Sequence, residues 1–257
     1  MGQATPYREA MESERQDQAG KRVHVPQMPA ERVEQIRRWH ARAYREARAA
    51  LQQEQTFAYL GRTIVVPPQV MPITPVSHLL GEAVLAEVGA QDRVLDMGTG
   101  SGVNAVLAAA SGADVLAVDI NPHALAAARS NAVRNGVAAR VTVRHSDVFE
   151  FVDGVFDVMV FDPPFRWFAP RDLLEAATTD ENYGAMTRFF NQARDYLKPG
   201  GRLLVFFGSS GDLEYLHRLI EASGFHRTVL ARHAIVKDGQ QVDYVALRLA
   251  VAGHVAS

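Results

Sequence analysis

The stretch from Val94 to Ala110 constrains this chain more than any other. It reads Val94-Leu95-Asp96-Met97, then Gly98-Thr99-Gly100-Ser101-Gly102, then Val103-Asn104-Ala105-Val106-Leu107-Ala108-Ala109-Ala110. An apolar strand empties into a turn with glycine at every second position, and an alanine-rich helix begins directly after it. Glycine there lets the backbone take positive φ and lets a ligand lie against bare amides. The helix start adds unpaired N–H donors and a partial positive charge. The unit belongs to an α/β sheet with an anionic or carboxylate-bearing ligand at the turn.

Spacing narrows the ligand. The dinucleotide fingerprint requires Gly-x-Gly-x-x-Gly, whereas this turn is Gly98-x-Gly100-x-Gly102 with Asp96 two places ahead of it. Asp-x-Gly-x-Gly-x-Gly resembles the first motif of the class I S-adenosylmethionine (SAM) methyltransferases. That resemblance implies SAM as cofactor, with Asp96, Gly98, Gly100 and Gly102 at its site.

Three later strand ends extend the pattern. Asp114 to Ile120 places Asp119 roughly 20 positions beyond the turn, where an adenosine ribose would present its hydroxyls. Arg140 to His145 ends in Ser146-Asp147-Val148, which puts Asp147, with Val148 beside it, where an adenine amino group would donate. Val155 to Phe161 ends in Asp162-Pro163-Pro164-Phe165. Each acid alone could be a solvated strand end. Together they predict four carboxylates on the carboxyl edge of one sheet, with Asp162 shared between cofactor and acceptor.

The run Phe57 to Leu80, then Leu95 to Gly102, then Val118-Asp119-Ile120-Asn121-Pro122-His123-Ala124-Leu125, resembles the release-factor glutamine methyltransferases and the wider "small-domain" N-methyltransferases. The likeness covers roughly Phe57 to Gly208. It implies a Rossmann-like, mostly parallel seven-stranded sheet ending in an antiparallel hairpin. Two departures matter. Pro72-Ile73-Thr74-Pro75-Val76-Ser77 stands where those enzymes carry Pro-Arg-Pro-Glu-Thr-Glu, and Asp162-Pro163-Pro164-Phe165 stands where they carry Asn-Pro-Pro-Tyr. Both point away from a glutamine side chain as acceptor and leave the cofactor untouched.

Residues 1–30, polar and charged with few large apolar groups, read as a mobile, disordered tail. Residues 31–73 read as a helical extension and connector, and 74–252 as the catalytic domain. Within the extension, Val33, Ile36, Trp39 or His40, Ala43, Ala47, Ala50 and Leu51 recur at helical spacing. Arg32, Arg37, Arg38, Arg42, Arg45 and Arg48 occupy the other side, diluted by Glu31, Glu34 and Glu46. Arg62 to Val66 followed by Pro67, Pro68 and Pro72 suggests an extended connector or small hairpin.

Thr74-Pro75 reads as the cap and first residue of a helix whose Val76, Leu79, Leu80, Ala83, Val84 and Val88 share one face. Asn121-Pro122 opens another, with Ala124, Leu125, Ala128, Ala132 and Val133 inward and Gly136 as its stop. Arg166 to Asp180 is a substrate lid or an aromatic cover over the sheet edge. Tyr183 to Leu197 reads as a helix closed by Lys198-Pro199-Gly200-Gly201. Thr228 to Val236 and Val242 to Leu249 flank Asp238-Gly239 as a hairpin.

Composition excludes several classes. The 257 residues carry no cysteine, so disulfides and thiolate zinc sites are ruled out, and no pair among the nine histidines has metal spacing. The net charge of −2 gives no whole-chain basic field for nucleic acid. No apolar run approaches the roughly 20 residues that span a bilayer, so the expectation is a soluble, cytoplasmic protein of unspecified oligomeric state.

Methyl transfer is an in-line displacement that mainly requires placing a lone pair on the axis of the breaking bond. Nitrogens of amides, guanidines and nucleobases delocalise that lone pair. Two acceptors, the Asp162 carboxylate and the Pro163 carbonyl, can each take an N–H and turn the nitrogen, while Phe165 faces a planar group. With an ordinary carboxyl pKa Asp162 is expected to be ionised at neutral pH. The expected function is SAM-dependent N-methylation of a planar nitrogen on a small molecule, peptide or protein. The alternative is methylation of an rRNA or DNA base amino group, and a lesser one is non-catalytic binding of SAM or a nicotinamide cofactor.

Overall fold

The computed structural model describes residues 23–50, 53–237 and 239–251. A long helix, α1 (Ala30–Ala50), precedes a two-stranded hairpin of β1 (Gln55–Tyr59) and β2 (Arg62–Val66). The main sheet and its helices follow as α2 (His78–Glu87), β3 (Arg93–Met97), α3 (Val103–Ala110), β4 (Asp114–Asp119), α4 (Pro122–Arg134), β5 (Val141–His145) and β6 (Phe156–Phe161). They end with α5 (Leu173–Ala176), α6 (Gly184–Gln192), β7 (Leu197–Gly208), α7 (Leu213–Ala222), β8 (Phe225–Lys237) and β9 (Gln240–Val251).

The seven-stranded sheet runs β5-β4-β3-β6-β7-β9-β8, parallel through β7, with β9 antiparallel to both β7 and β8. Chain order reverses beside β3, so the carboxyl ends of β3, β4 and β6 open onto one crevice, the usual ligand position in such sheets. The expected C-terminal hairpin is present: Lys237 pairs with Gln240 and Gly239 sits at φ +74°, while Asp238 lies outside the described residues.

Strand residues alternate between two cores, as a sheet covered on both faces requires. Leu95, Met97, Leu116, Val118, Met159 and Phe161 pack with α1, α6 and α7 residues such as Ile36, Trp39, Phe189 and Ile220. Val94, Val115, Ala117, Val158 and Val160 pack with α2, α3 and the hairpin through Val84, Leu107 and Ile64.

Several local expectations are corrected. The helix expected from Thr74 starts at His78, because the Thr74 amide donates to Ser77 Oγ (3.0 Å) and Ser77 N–H returns to the Thr74 carbonyl (3.0 Å), closing a separate turn. Lys198 to Gly201 belongs to β7, since α6 stops at Gln192 and one 3₁₀ turn carries the chain to Tyr196. In α1 the buried stripe is Ile36, Trp39, His40 and Tyr44, leaving Ala43 exposed; the aromatic ring takes the place along the stripe expected for alanine, and Leu51 lies outside the described residues. Val133 in α4 is exposed, and Asn131 is the residue buried on that face.

Of the expected mobile tail, residues 1–22 lie outside the described residues. Within residues 23–29, where Val23 and Val25 stay exposed, His24 donates its amide to Asn182 Oδ1 (2.9 Å), sets its ring 3.1 Å from Asp212 Oδ2 and meets the stacked Tyr183 and Tyr215 rings edge-on. Arg166 to Asp180 carries α5 and bridges to itself at Arg166 and Thr179. Arg171 reaches both Glu175 oxygens (2.6 and 2.7 Å), and Glu175 binds His40 of α1 (2.7 Å), so the segment is tied to the N-terminal helix.

Candidate functional site

β3 ends at Met97 and the chain turns through Gly98 (φ +68°), Gly100 (φ +55°) and Gly102 (φ +80°), conformations that strain any residue with a Cβ. The glycines serve different ends. A Cβ on Gly98 or Gly100 would meet nothing within 4 Å, so both border open space. A Cβ on Gly102 would come within 2.7 Å of the Ala128 Cα, so this glycine permits the close packing of α3 on α4. The turn is stitched to the neighbouring strand by the Thr99 amide on the Val118 carbonyl (2.9 Å).

Asp119 holds the same turn from β4. Its Oδ2 accepts from the Gly100 amide (2.9 Å) and its Oδ1 from the Asn121 amide (2.8 Å), and each oxygen keeps a further lone pair for a ribose hydroxyl. Burial pushes its pKa up, opposed by those backbone donors.

Asp96, expected at the cofactor, makes its contacts within the turn and the first turn of α3. It is buried, with Oδ2 accepting from the Thr99 hydroxyl (2.5 Å) and the Ala105 amide (3.1 Å). Burial, with the Asp119 charge beside it, raises its pKa to about 6. It therefore fixes the glycine turn to the first turn of α3 from beneath.

At the β5 end both Asp147 oxygens receive the Arg188 guanidinium (2.6 and 2.7 Å). The carboxylate is thus already paired, with one lone pair per oxygen left for an adenine amino group. Val148 is buried at φ +51°, its carbonyl accepting from Ser146 Oγ (2.8 Å).

Phe161 is in register with Met97, so Asp162 and Gly98 take the next step beyond two adjacent parallel strands. Asp162 is solvent-accessible and yet crowded by protein, as a group on the floor of a cleft is. Its pKa is raised to about 7 by that desolvation first and by the Asp96 carboxylate second. The expectation of a fully ionised Asp162 is corrected by these two causes.

The hairpin supplies Tyr59, whose buried hydroxyl has no hydrogen-bond partner among the described residues and whose ionisation burial and Asp162 oppose. Phe165 is fixed by its neighbours: its carbonyl accepts from the Tyr183 hydroxyl (2.7 Å), and its ring lies 5.0 Å from Phe207 and 6.3 Å from Tyr244. Pro163 is buried between them in sequence.

The open cradle at Gly98 and Gly100, flanked by Asp119 and Asp162, suits a nucleoside with a short amino-acid tail. The methyltransferase small domain family matches residues 73–234. The chain belongs to that family. It is a SAM-dependent methyltransferase, and its cofactor is SAM.

The methyltransferase is 33% identical over 213 residues to a release factor glutamine methyltransferase of Cereibacter sphaeroides, a match covering 77% of this chain and 72% of the relative. It is 34% identical over 208 residues to ribosomal RNA small subunit methyltransferase C of Chromohalobacter salexigens, covering 78% of this chain and 58% of that one. Among solved structures it shares its fold with a Thermus thermophilus 16S rRNA methyltransferase in complex with AdoMet and guanosine. That match has a TM-score of 0.56 at 24% identity and covers 77% of this chain and 50% of that one.

Four residues of the site escaped sequence reasoning. Asn131 on α4 and Asn135 at its C-cap, four residues apart, bind both main-chain groups of Val65 and of Thr63 respectively, which fastens the hairpin to α4. Two asparagines at helical spacing, an uncommon choice inside a helix, were the available signal. Tyr59 gave none, since its approach to Gly81 and within electrostatic reach of Asp162 follows from the hairpin's packing. Arg166, next to the Asp-Pro-Pro-Phe motif, was read only as part of a loop. No helix among the described residues is long and apolar enough to cross a membrane, and no group of three or more His, Asp or Glu side chains among them could hold a metal.

Proposed function

We propose that this methyltransferase places its methyl group on a planar nitrogen, an amide, guanidine or amino group, of a cytoplasmic small molecule, peptide or protein. The observation that carries the reading is Asp162-Pro163-Pro164-Phe165 directly beyond Phe161, the register partner of Met97, beside the open glycine turn. When bound, SAM supplies an electrophilic methyl on a sulfonium.

Asp162 and the Pro163 carbonyl accept the N–H groups of the acceptor and turn its lone pair toward the methyl. As positive charge grows on the nitrogen, the Asp162 carboxylate stabilises it, then takes the released proton and passes it to water. Phe165 stacks on the planar group. Asp119 accepts from the ribose hydroxyls, Asp147 with Val148 borders the adenine, and the backbone of Gly98 and Gly100 lets the tail lie close. Residues 74–252 form the catalytic domain in this reading, with 31–73 as an extension that covers it.

A second reading, methylation of an rRNA or DNA base, is favoured by the exposed Arg37, Arg38, Arg42 and Arg45 on α1 and by the rRNA methyltransferases among the relatives. Asp162→Ala, assayed for SAM affinity and for methyl transfer to a panel of guanidines, amides, peptides and ribosomal RNA, tests both. Unchanged SAM binding with turnover lost is expected, and unchanged turnover overturns the assignment. Charge reversal at Arg37, Arg38 and Arg42 that abolishes transfer while sparing SAM affinity would favour the nucleic-acid reading.

A further inference from the structure

Arg166 immediately follows the Asp-Pro-Pro-Phe motif, with its guanidinium carbon 5.9 Å from the Phe165 ring centroid. Among the described residues it makes one side-chain hydrogen bond, from Nη2 to Ser210 Oγ (3.2 Å), and its buried Nε has no partner there. Among the described residues no carboxylate hydrogen-bonds to it: the ionisable groups acting on it are the phenols of Tyr244 and Tyr183, its charge opposes protonation of His40, and desolvation lowers its own pKa. An arginine in so crowded a place ordinarily has an anionic partner, because an unpaired buried charge is costly.

A second cation adds to the imbalance. Arg32, reaching in from α1, binds the carbonyl of the adjacent Ser209 (3.3 Å) and the side-chain oxygens of Gln35 and Gln240 (2.8 Å each), all neutral, and lies 4.8 Å above the Trp39 ring. Two guanidinium groups with no carboxylate hydrogen-bonded to them among the described residues flank the Ser209-Ser210 turn beside Phe165. The acids Asp96, Asp119 and Asp162 therefore gather at the cofactor end and guanidinium groups at the Ser209-Ser210 turn.

Resting on the methyltransferase reading above, we propose that the acceptor carries a terminal carboxylate, which Arg166 binds through Nε and an adjacent Nη while Phe165 stacks on the group to be methylated. The Nε edge of a guanidinium matches a carboxylate through two parallel hydrogen bonds. A phosphodiester is substituted on both sides and has no free end to reach a buried Nε. A phosphomonoester carries about −1.5 to −2 charge, more than Arg166 balances alone, and Arg32 is held by Ser209, Gln35 and Gln240.

The test is NMR of the full chain labelled with ¹⁵N-arginine and saturated with S-adenosylhomocysteine, following the Arg166 Nε–H resonance during titration with acetate, methyl phosphate or dimethyl phosphate. Arg166→Lys assigns the resonance, and should that variant not fold, the perturbation in Ser210→Ala assigns it. A downfield shift that saturates at millimolar acetate, with about tenfold weaker response to dimethyl phosphate, is expected. No response to acetate, an equal response to all three anions, or a preference for methyl phosphate each overturns the proposal. Calorimetric binding of S-adenosylhomocysteine is read on the same sample. Its absence overturns the methyltransferase reading, whatever Arg166 does.

Discussion

Asn131 and Val65 form a closed pair: the wholly buried amide of α4 accepts from the Val65 N–H at 2.9 Å and donates to the Val65 carbonyl at 2.7 Å. The same Nδ2 also reaches the Ser101 carbonyl (2.9 Å), so one side chain joins the hairpin to the glycine turn. Asn131→Leu would strand both Val65 main-chain groups in a buried strand. The expected loss is about 2–6 kcal/mol, from roughly 1–3 kcal/mol for each of the two unsatisfied groups. Thermal and urea unfolding check it, and SAM affinity is expected to weaken in the same variant because the turn loses its brace.

Turnover will follow the ionisation of Asp162. Its pKa, raised to about 7 by burial and by Asp96, means the acceptor carboxylate is lost as pH falls through neutrality. The pH profile of kcat/KM should therefore rise through about 7, and in Asp162→Asn that limb should vanish while some activity remains. Asp162→Ala should lower kcat by about 100- to 1000-fold, the usual effect of deleting one preorganised charge-stabilising group.

Stability should respond to Asp96 in the opposite sense. The folded protein holds a proton on Asp96 up to about pH 6, whereas the unfolded chain releases it near 3.8, so folding is favoured most at low pH and this contribution is lost as pH rises between the two values. The full effect is on the order of 3 kcal/mol for a shift of about two units. Chemical denaturation of Asp96→Asn across this range should show a flatter pH dependence than the parent chain.

Gly100 and Gly136 separate ligand contact from backbone strain. They sit at φ +55° and +70°, and a Cβ at either meets nothing within 4 Å, but only Gly100 borders the crevice. Alanine at each should cost about 1–2 kcal/mol of stability through left-handed strain. Only Gly100→Ala should also weaken SAM binding, read by calorimetry.

Legibility in the sequence followed locality. Val94 to Ala110 could be read because the apolar run, the glycine spacing and the helix start are consecutive, and Asn121-Pro122 could be read as a cap because the Asn121 side chain serves His123 two residues on. The partners of Asp96, Thr99 and Ala105, were not legible in the same way, because they meet it only once the turn bends back. The segment 23–29 looked mobile because little in it is apolar, and what holds His24 is Asp212, 188 residues away.

The sequence by itself determined the sheet, the glycine cradle and the arrival of Asp119 and Asp162 at one edge, since strand ends and turns are written in short-range pattern. Only the tertiary structure decided the charge state of that edge. Whether Asp162 is protonated, whether Asp147 is already paired with Arg188, and whether Arg166 lacks a counter-ion all depend on groups brought close by packing. Desolvation and Coulomb interaction act through space, and the order of residues along the chain does not encode those separations.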